Sequence, residues 1–235
     1  MASLIQLLKK EKEEQVQEGI YEWLQIAFAF HSCRLEGNMT NYRRTRRLFR
    51  NRDEKEAEDS YDHTEIIEHF QLFDAMLESI HKPLTVDMIK GFHRILRDDT
   101  EDYLVRNGVP SGEFRTKEPE SFGCRPEDIL PEMNALISDF KEDGKNRRID
   151  MTDIARFHLR FEDIHPFPDD NGPIGRMLIA KQCLDNDMVP AIPGQDTGKT
   201  YFAAFGAEDP LKAMQEYLKK EQWLYARMLN WWNAE

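Results

Sequence analysis

Apolar residues recur at helical spacing along nearly the whole chain. Ile66, Phe70, Phe73, Leu77 and Ile80 form one stripe, and Val16, Ile20, Trp23, Leu24 and Ala27 form another. A third stripe, of Leu211, Met214, Leu218, Tyr225, Met228 and Trp232, runs through the C-terminal stretch. Intervals of three and four residues place side chains on one face of an α-helix. Breakers such as "HKPLT" and "EDGKN" punctuate the pattern, because Pro removes a helix hydrogen bond and Gly adds backbone freedom. Period-two alternation is scarce. The one hairpin candidate is "VPSGEFRTKEPESFG", where Gly112 and Gly123 bracket a short, mostly polar stretch. The pattern therefore predicts a mainly α fold, a helical bundle with one short β-hairpin flap. A boundary falls near residue 60. It separates an N-terminal helical region, 1–60, from the main domain, 61–235, with the two packed as one unit.

Composition narrows the function. With 235 residues, 40% of them hydrophobic, the chain can bury a sizeable core. Its net charge of -12 argues against general binding of nucleic acid or anionic membrane, while a local cluster of donors still suffices for a nucleotide. Apolar runs are too short to span a bilayer, and "MASLIQLLKKEKEE" has the wrong charge order for a signal peptide. Cys33, Cys124 and Cys183 lack metal spacing and read as reduced thiols, which predicts a cytoplasmic protein. Six arginines fall between Arg43 and Arg52, followed by a run of acids. A solvated helix whose charges partly cancel explains them better than a docking patch. The oligomeric state is left open. The tryptophans of the last stretch, Trp223, Trp231 and Trp232, are expected in the core.

Two tempting motifs fail. "GQDTGKT" resembles a phosphate loop but has three residues, not four, between its first glycine and Gly-Lys, and no strand precedes it. His158, His165 and Asp169 have metal-like types, but Pro166 ends the helix and separates their faces. His158 is expected as a packed core residue.

The chemistry concentrates in "HPFPDDNGPIGR", His165 to Arg176. The stretch before it, with Ile154, Phe157, Phe161 and Ile164 on one stripe, predicts a buried helix that delivers His165 to its C-terminal end. Pro166 stops that helix, Phe167 can anchor the loop, and a second helix starts at "NGPIGR". A helix start offers unpaired N–H groups and a favourable dipole to an anion. Asn171 and Gly172 suit a turn that aims those groups at phosphate. Asp169 is a hard oxygen ligand suited to Mg²⁺. His165 is the natural base for a hydroxyl, and Arg176, one turn in, reaches a terminal phosphate. The set reads as phosphoryl or nucleotidyl transfer to a hydroxyl.

These residues resemble the Fic (filamentation induced by cAMP) family, whose signature is H-P-F-x-[D/E]-G-N-G-R-x-x-R. The match holds at His165, Pro166, Phe167, Asp169, Asn171, Gly172 and Arg176. "SCRLEGN", from Ser32 through Glu36 and Gly37 to Asn38, is similar to the family's inhibitory pattern [S/T]-x-x-x-E-[G/N]. "VRNGVPSGEFRT" and "LPEMNALI" are also similar to family segments. The resemblance implies a Fic-type fold and transfer of AMP from ATP to a Ser, Thr or Tyr hydroxyl of a target protein. His165 would be the general base, Asp169 would hold Mg²⁺, and Asn171 and Gly172 would help form an anion hole. Arg176 would hold the γ-phosphate, and Glu36 would pair with Arg176 and block it. The flap, including Glu113, Phe114, Arg115 and Thr116, would clamp a target segment as an added strand.

Two positions depart from the signature. Asp170 stands in place of glycine, and Pro173 in place of the first arginine. A carboxylate beside an anion costs ~1 kcal/mol in water and more in a dry site. A lost charge-assisted hydrogen bond costs roughly 1.5–3 kcal/mol. Both residues suit a helix start, Asp as an N-cap and Pro in the first turn. Three functions stay open: an AMP-transferase with weakened donor binding, a transferase with another phosphate-containing donor, and a non-catalytic binding module of the same fold.

Overall fold

A computed structural model describes residues 3–51, 61–97, 101–119, 122–194 and 198–232. Among them the chain forms helices α1 (Leu4–Glu13), α2 (Ile20–Leu35), α3 (Tyr42–Arg50), α4 (Tyr61–Glu78), α5 (Val86–Leu96) and α6 (Glu101–Asn107). A single 3-10 turn then leads into α7 (Ile129–Asn146), α8 (Met151–Ile164), α9 (Asn171–Asp185), α10 (Lys199–Phe205) and α11 (Pro210–Trp232). Local sequence starts several of these. Ser3 and Asp150 both close capping boxes, with the residue three positions on returning its side chain to the cap N–H. Thr85 and Asn41 accept the first free N–H groups of α5 and α3.

Helix α9 is the axis of the fold. Every residue from Pro173 to Leu184 is buried, so the helix has no solvent face. Helices α8, α4, α2 and α5 surround it, and α11 lies across α8. The stripe Ile66, Phe70, Phe73, Leu77, Ile80 is wholly buried, as its spacing predicts. One core cluster takes in Leu24 and Phe28 of α2 with Phe73, Phe161 and Met177, so the N-terminal region and the rest share their apolar interior. Arg46 and Arg50 of α3 pair with Glu18 and Glu22, which accounts for the middle of the arginine run. Residue 60 and the end of that run lie outside the described residues.

Three expectations need correction. Val16 is not part of the α2 stripe: Gln15 and Glu18 take positive φ values of 52° and 58°, the chain turns, and Val16 is exposed. Trp223 is 54% exposed, with the Arg227 guanidinium over its ring, so it is not core. The side chains of Trp231 and Trp232 lie outside the described residues, as do residues 195–197 of "GQDTGKT". The β-hairpin expected of the flap is not seen, because no described residue is in a strand. Its backbone bonds to the segment around the motif loop: Arg115 N–H donates to the Pro166 carbonyl at 3.0 Å, and Cys124 N–H, just past the flap, to the Ile164 carbonyl at 3.3 Å. Residues 120 and 121 of the flap lie outside the described residues.

Candidate active site

Helix α8 ends at His165, whose φ of 50° turns the chain into the left-handed region while its N–H still reaches the Phe161 carbonyl. Pro166 prevents any continuation. Phe167 anchors the loop: it is fully buried and stacks on the His93 ring with centroids 4.1 Å apart. The Asn171 side chain then clamps the loop. Its Oδ1 accepts the Phe167 N–H and its Nδ2 donates to the Phe167 carbonyl, both at 2.9 Å. The side-chain amide of Asn171 is therefore occupied within the loop. What Asn171 and Gly172 can offer an anion is backbone N–H at the start of α9, where the helix has no earlier carbonyl for them.

Arg176, one turn into α9, is 1% exposed. Its Nη2 donates to Glu36 Oε1 at 2.6 Å and to the Ser32 carbonyl at 3.2 Å, and its Nε donates to Ser32 Oγ at 3.1 Å. A second layer backs this contact. His69 Nδ1 lies 2.8 Å from the Glu65 carbonyl, which makes that nitrogen the N–H donor. His69 Nε2 is then the acceptor for the Ser32 hydroxyl, 3.2 Å away. Gly37, at φ 95°, ends α2 in a backbone state that L side chains avoid, and the turn aims Glu36 at α9. The Glu36 carboxylate lies over the first turn of that helix: a Cβ added at Gly172 would sit 2.7 Å from Glu36 Oε1 and 2.8 Å from Arg176 Nη1. Ser32, Glu36, Gly172 and Arg176, 140 residues apart in sequence at the ion pair, are thus brought together.

A cavity of about 760 Å³ opens beside this ion pair. Glu36, His165, Gly172 and Arg176 line it, and Leu159, Tyr201, Phe202, Phe205 and Leu211 add an apolar and aromatic surface. Burial, with the Arg115 charge adding to it, holds the His165 pKa below the usual histidine value, so the ring is neutral near pH 7. Its Nδ1 makes no hydrogen bond to a described residue. Glu162, one turn before His165, also lines the cavity. Burial pushes its carboxyl up to about 7.

Of the two departures, Asp170 differs from expectation and Pro173 does not. Asp170 occupies the N-cap position of α9 at φ 53°, but its side chain does not cap the helix. It turns to Arg97 in a two-pronged ion pair, Nε to Oδ2 at 2.5 Å and Nη2 to Oδ1 at 2.8 Å. Its charge is compensated and is not offered to the cavity. Pro173 fills the first turn of α9, where a missing N–H removes no helix bond, and is buried.

Asp169 is not among the residues that line the large cavity. It accepts from the Tyr103 hydroxyl at 3.2 Å and lies 3.5 Å from His93 Nε2 and 3.9 Å from Arg97 Nε. His93 Nδ1 accepts the Gly112 N–H at 2.9 Å, so the N–H of the ring is on Nε2, which has no hydrogen-bond partner among the described residues. His93, Asp169 and Asp170 are close enough together to suggest a cation site. That donor set does not fit Mg²⁺: its nitrogen is protonated, and Arg97 already supplies the positive charge.

Of the four flap residues, Arg115 is buried and braces the loop, donating to the carbonyls of His165, Lys117, Cys124 and Ile164. Glu113 turns to Lys90 and Arg94, Phe114 packs on Phe167, and Thr116 is exposed. Sequence reasoning missed Arg97, His69, His93 and Tyr103, whose partners in the site, Asp170, Ser32 and Asp169, are remote in sequence. Glu162 did leave a signal, an acid one helical turn before the histidine in "FEDIHPF".

Residues 83–183 match the sequence model of the Fic/DOC family. Over 85 residues the chain is 32% identical to a curated protein of Aquifex aeolicus (strain VF5) named "Probable protein adenylyltransferase aq_aa38". That match takes in 34% of this chain and 26% of the relative, so the chain spans about a quarter of its length. Among solved structures, a Fic domain containing signaling protein from Bacteroides thetaiotaomicron VPI-5482 superposes with a TM-score of 0.72 at 19% identity, covering 96% of this chain and 95% of that one. Fic-1 from C. elegans superposes with a TM-score of 0.67 at 19% identity, over 96% and 72% of the two chains. A Fic family protein from Desulfovibrio desulfuricans G20 gives 0.70 at 16% identity, over 96% and 70%. These likenesses show the fold. The His165 loop and helix α9 as far as Cys183 fall inside the span, residues 83–183, that matches the Fic/DOC family.

Proposed function

We propose that this protein is an adenylyltransferase that moves AMP from ATP to a hydroxyl of a target protein and is held off by Glu36. The observation that carries the reading is the position of His165. This neutral histidine stands between the large cavity, with its arginine and helix N-terminus, and a smaller cavity under the flap. A base there can face a donor on one side and an acceptor on the other. The aromatic wall of Tyr201, Phe202 and Phe205 suits a nucleobase, and the α9 N–H groups suit a phosphate. His165 takes the proton of the target hydroxyl, and the oxygen forms a bond to the α-phosphorus. The bond from that phosphorus to the bridging oxygen breaks, and pyrophosphate leaves with the electron pair. Glu36 opposes this because one guanidinium cannot serve a carboxylate and a γ-phosphate together.

Asp170 and Pro173 enter this reading with different weights. Asp170 is compensated by Arg97 and adds little repulsion toward the donor. Pro173 lacks the cation of the family signature, so the donor grip rests on Arg176 and backbone N–H groups. The test is transfer of label from α-³²P-ATP to the chain itself or to lysate proteins, with the Glu36→Ala variant. Labelling by Glu36→Ala that vanishes in Glu36→Ala/His165→Ala supports the reading. Labelling that survives loss of His165, or nucleotide binding with no transfer to any acceptor, sinks it.

A further inference from the structure

His165 also lines a second cavity, of about 380 Å³, which shares only His165 and Phe122 with the first. Arg106, Asn107, Arg115 and Lys117 line it with His165, and Glu118 is its one carboxylate among the described residues. Arg106 and Lys117 are exposed, and among the described residues neither forms an ion pair. The Arg115 guanidinium is bound to four backbone carbonyls, which satisfy its N–H groups without cancelling its charge. Asn107 Nδ2 is a buried donor with no partner among the described residues. The cavity thus presents three cations and a free amide N–H against one acid, on a chain whose net charge is -12. Screening limits exposed charges to a range of about 8 Å at physiological salt. A ligand here therefore responds to this island of positive charge and not to the acidic whole.

We propose that the segment this protein modifies is acidic, with carboxylates beside the accepting hydroxyl held by Arg106 and Lys117. The inference rests on the transferase reading for the role of His165, but the docking itself is testable without catalysis. A peptide is favoured over nucleic acid because the basic surface is small and a free amide N–H beside it suits a backbone carbonyl. Charge complementarity at such a rim selects partners and raises the association rate more than it adds affinity.

The probe is a fluorescent nine-residue serine peptide flanked by Asp and Glu, compared with its Asn and Gln counterpart by anisotropy on the full chain. The acidic peptide should bind roughly tenfold more tightly at low salt, and the preference should shrink as salt rises. The charge-reversed variant Arg106→Glu/Lys117→Glu should lose the preference and gain affinity for a Lys-flanked peptide, a rescue that also shows it is folded. Equal binding of acidic and neutral peptides overturns the proposal, as does a preference that survives charge reversal. Displacement of the peptide by an oligothymidine of equal charge at lower concentration also overturns it. Acidic binding without label transfer from ATP by the Glu36→Ala protein keeps this surface and removes the transferase reading. Transfer to both peptides alike, with no binding preference, removes this inference and keeps the transferase.

Discussion

Replacing Glu36 with alanine should move stability and anion affinity in opposite directions. The carboxylate lies 2.6 Å from a guanidinium that is 2% exposed, while Glu36 itself keeps 38% of its side chain in solvent. Breaking a fully buried pair costs roughly 3–5 kcal/mol, and exposed pairs contribute at most about 1. The exposure of Glu36 and the bonds that Ser32 keeps to Arg176 bring the expected loss to about 1–2 kcal/mol. For a chain of this length that lowers the melting temperature by roughly 2–8 °C. The freed Arg176 can then make a charge-assisted bond to a phosphate, worth about 1.5–3 kcal/mol, which is about 10- to 100-fold in affinity. Calorimetric titration of ATP and a thermal melt on the same two proteins read both quantities. Glu36→Gln, which keeps the shape without the charge, should fall between them. A melting temperature that drops with no gain in ATP affinity would make Glu36 a purely structural residue and refute the blocking role. A gain in affinity with no loss of stability would mean the ion pair is not formed in the resting protein.

Other outcomes follow from the same geometry. Arg97→Met removes the charge partner of Asp170, whose side chain is 8% exposed, and should destabilise the fold by about 3 kcal/mol in urea unfolding. Adding Asp170→Gly should recover most of it, since glycine also suits φ 53°; equal losses in the single and double variants would show that the pair is not the reason. Glu162 gives a pH signature. Its folded pKa of about 7 lies above the unfolded value of 4.5, so its contribution is fully present below 4.5 and is lost as pH rises through 7. The difference is about 3 kcal/mol, and Glu162→Gln should flatten the fall in thermal stability between pH 5 and 8; an unchanged slope would place the titration elsewhere. His165→Ala should abolish label transfer while leaving ATP affinity within about twofold, because a general base contributes about 10²–10⁴-fold to rate and little to binding. A parallel loss of affinity would assign His165 to donor binding.

The periodic apolar pattern was enough for the helices, because burial of one face every three or four residues is a local property. Phe70, Phe73 and Leu77 are buried for that reason, and so are Phe157 and Phe161 in the helix that carries His165. The motif loop was legible for the same reason: the helix stop at Pro166 and the restart at Asn171 are written in adjacent residues. The flap was misread because its polar, glycine-bracketed stretch has turn chemistry but no partner strand, and Arg115 ties it to the loop instead. Val16 failed as a stripe member because a turn at Gln15 and Glu18 interrupts the period.

The residues of the motif loop, their order and their chemical types were therefore decided by sequence alone, since they sit together at two helix ends. Where their charges point was decided by tertiary structure. Asp170, which in sequence stands beside the anion site, faces Arg97 from α5's C-terminal end. Asp169, a metal ligand by type, faces Tyr103 and His93. Glu36 meets Arg176 only because α2 packs against α4 and α9, with Ser32 and His69 fixing the angle. Electrostatic partners act through space over a few ångströms, and the distances between these residues along the chain carry no trace of which will meet.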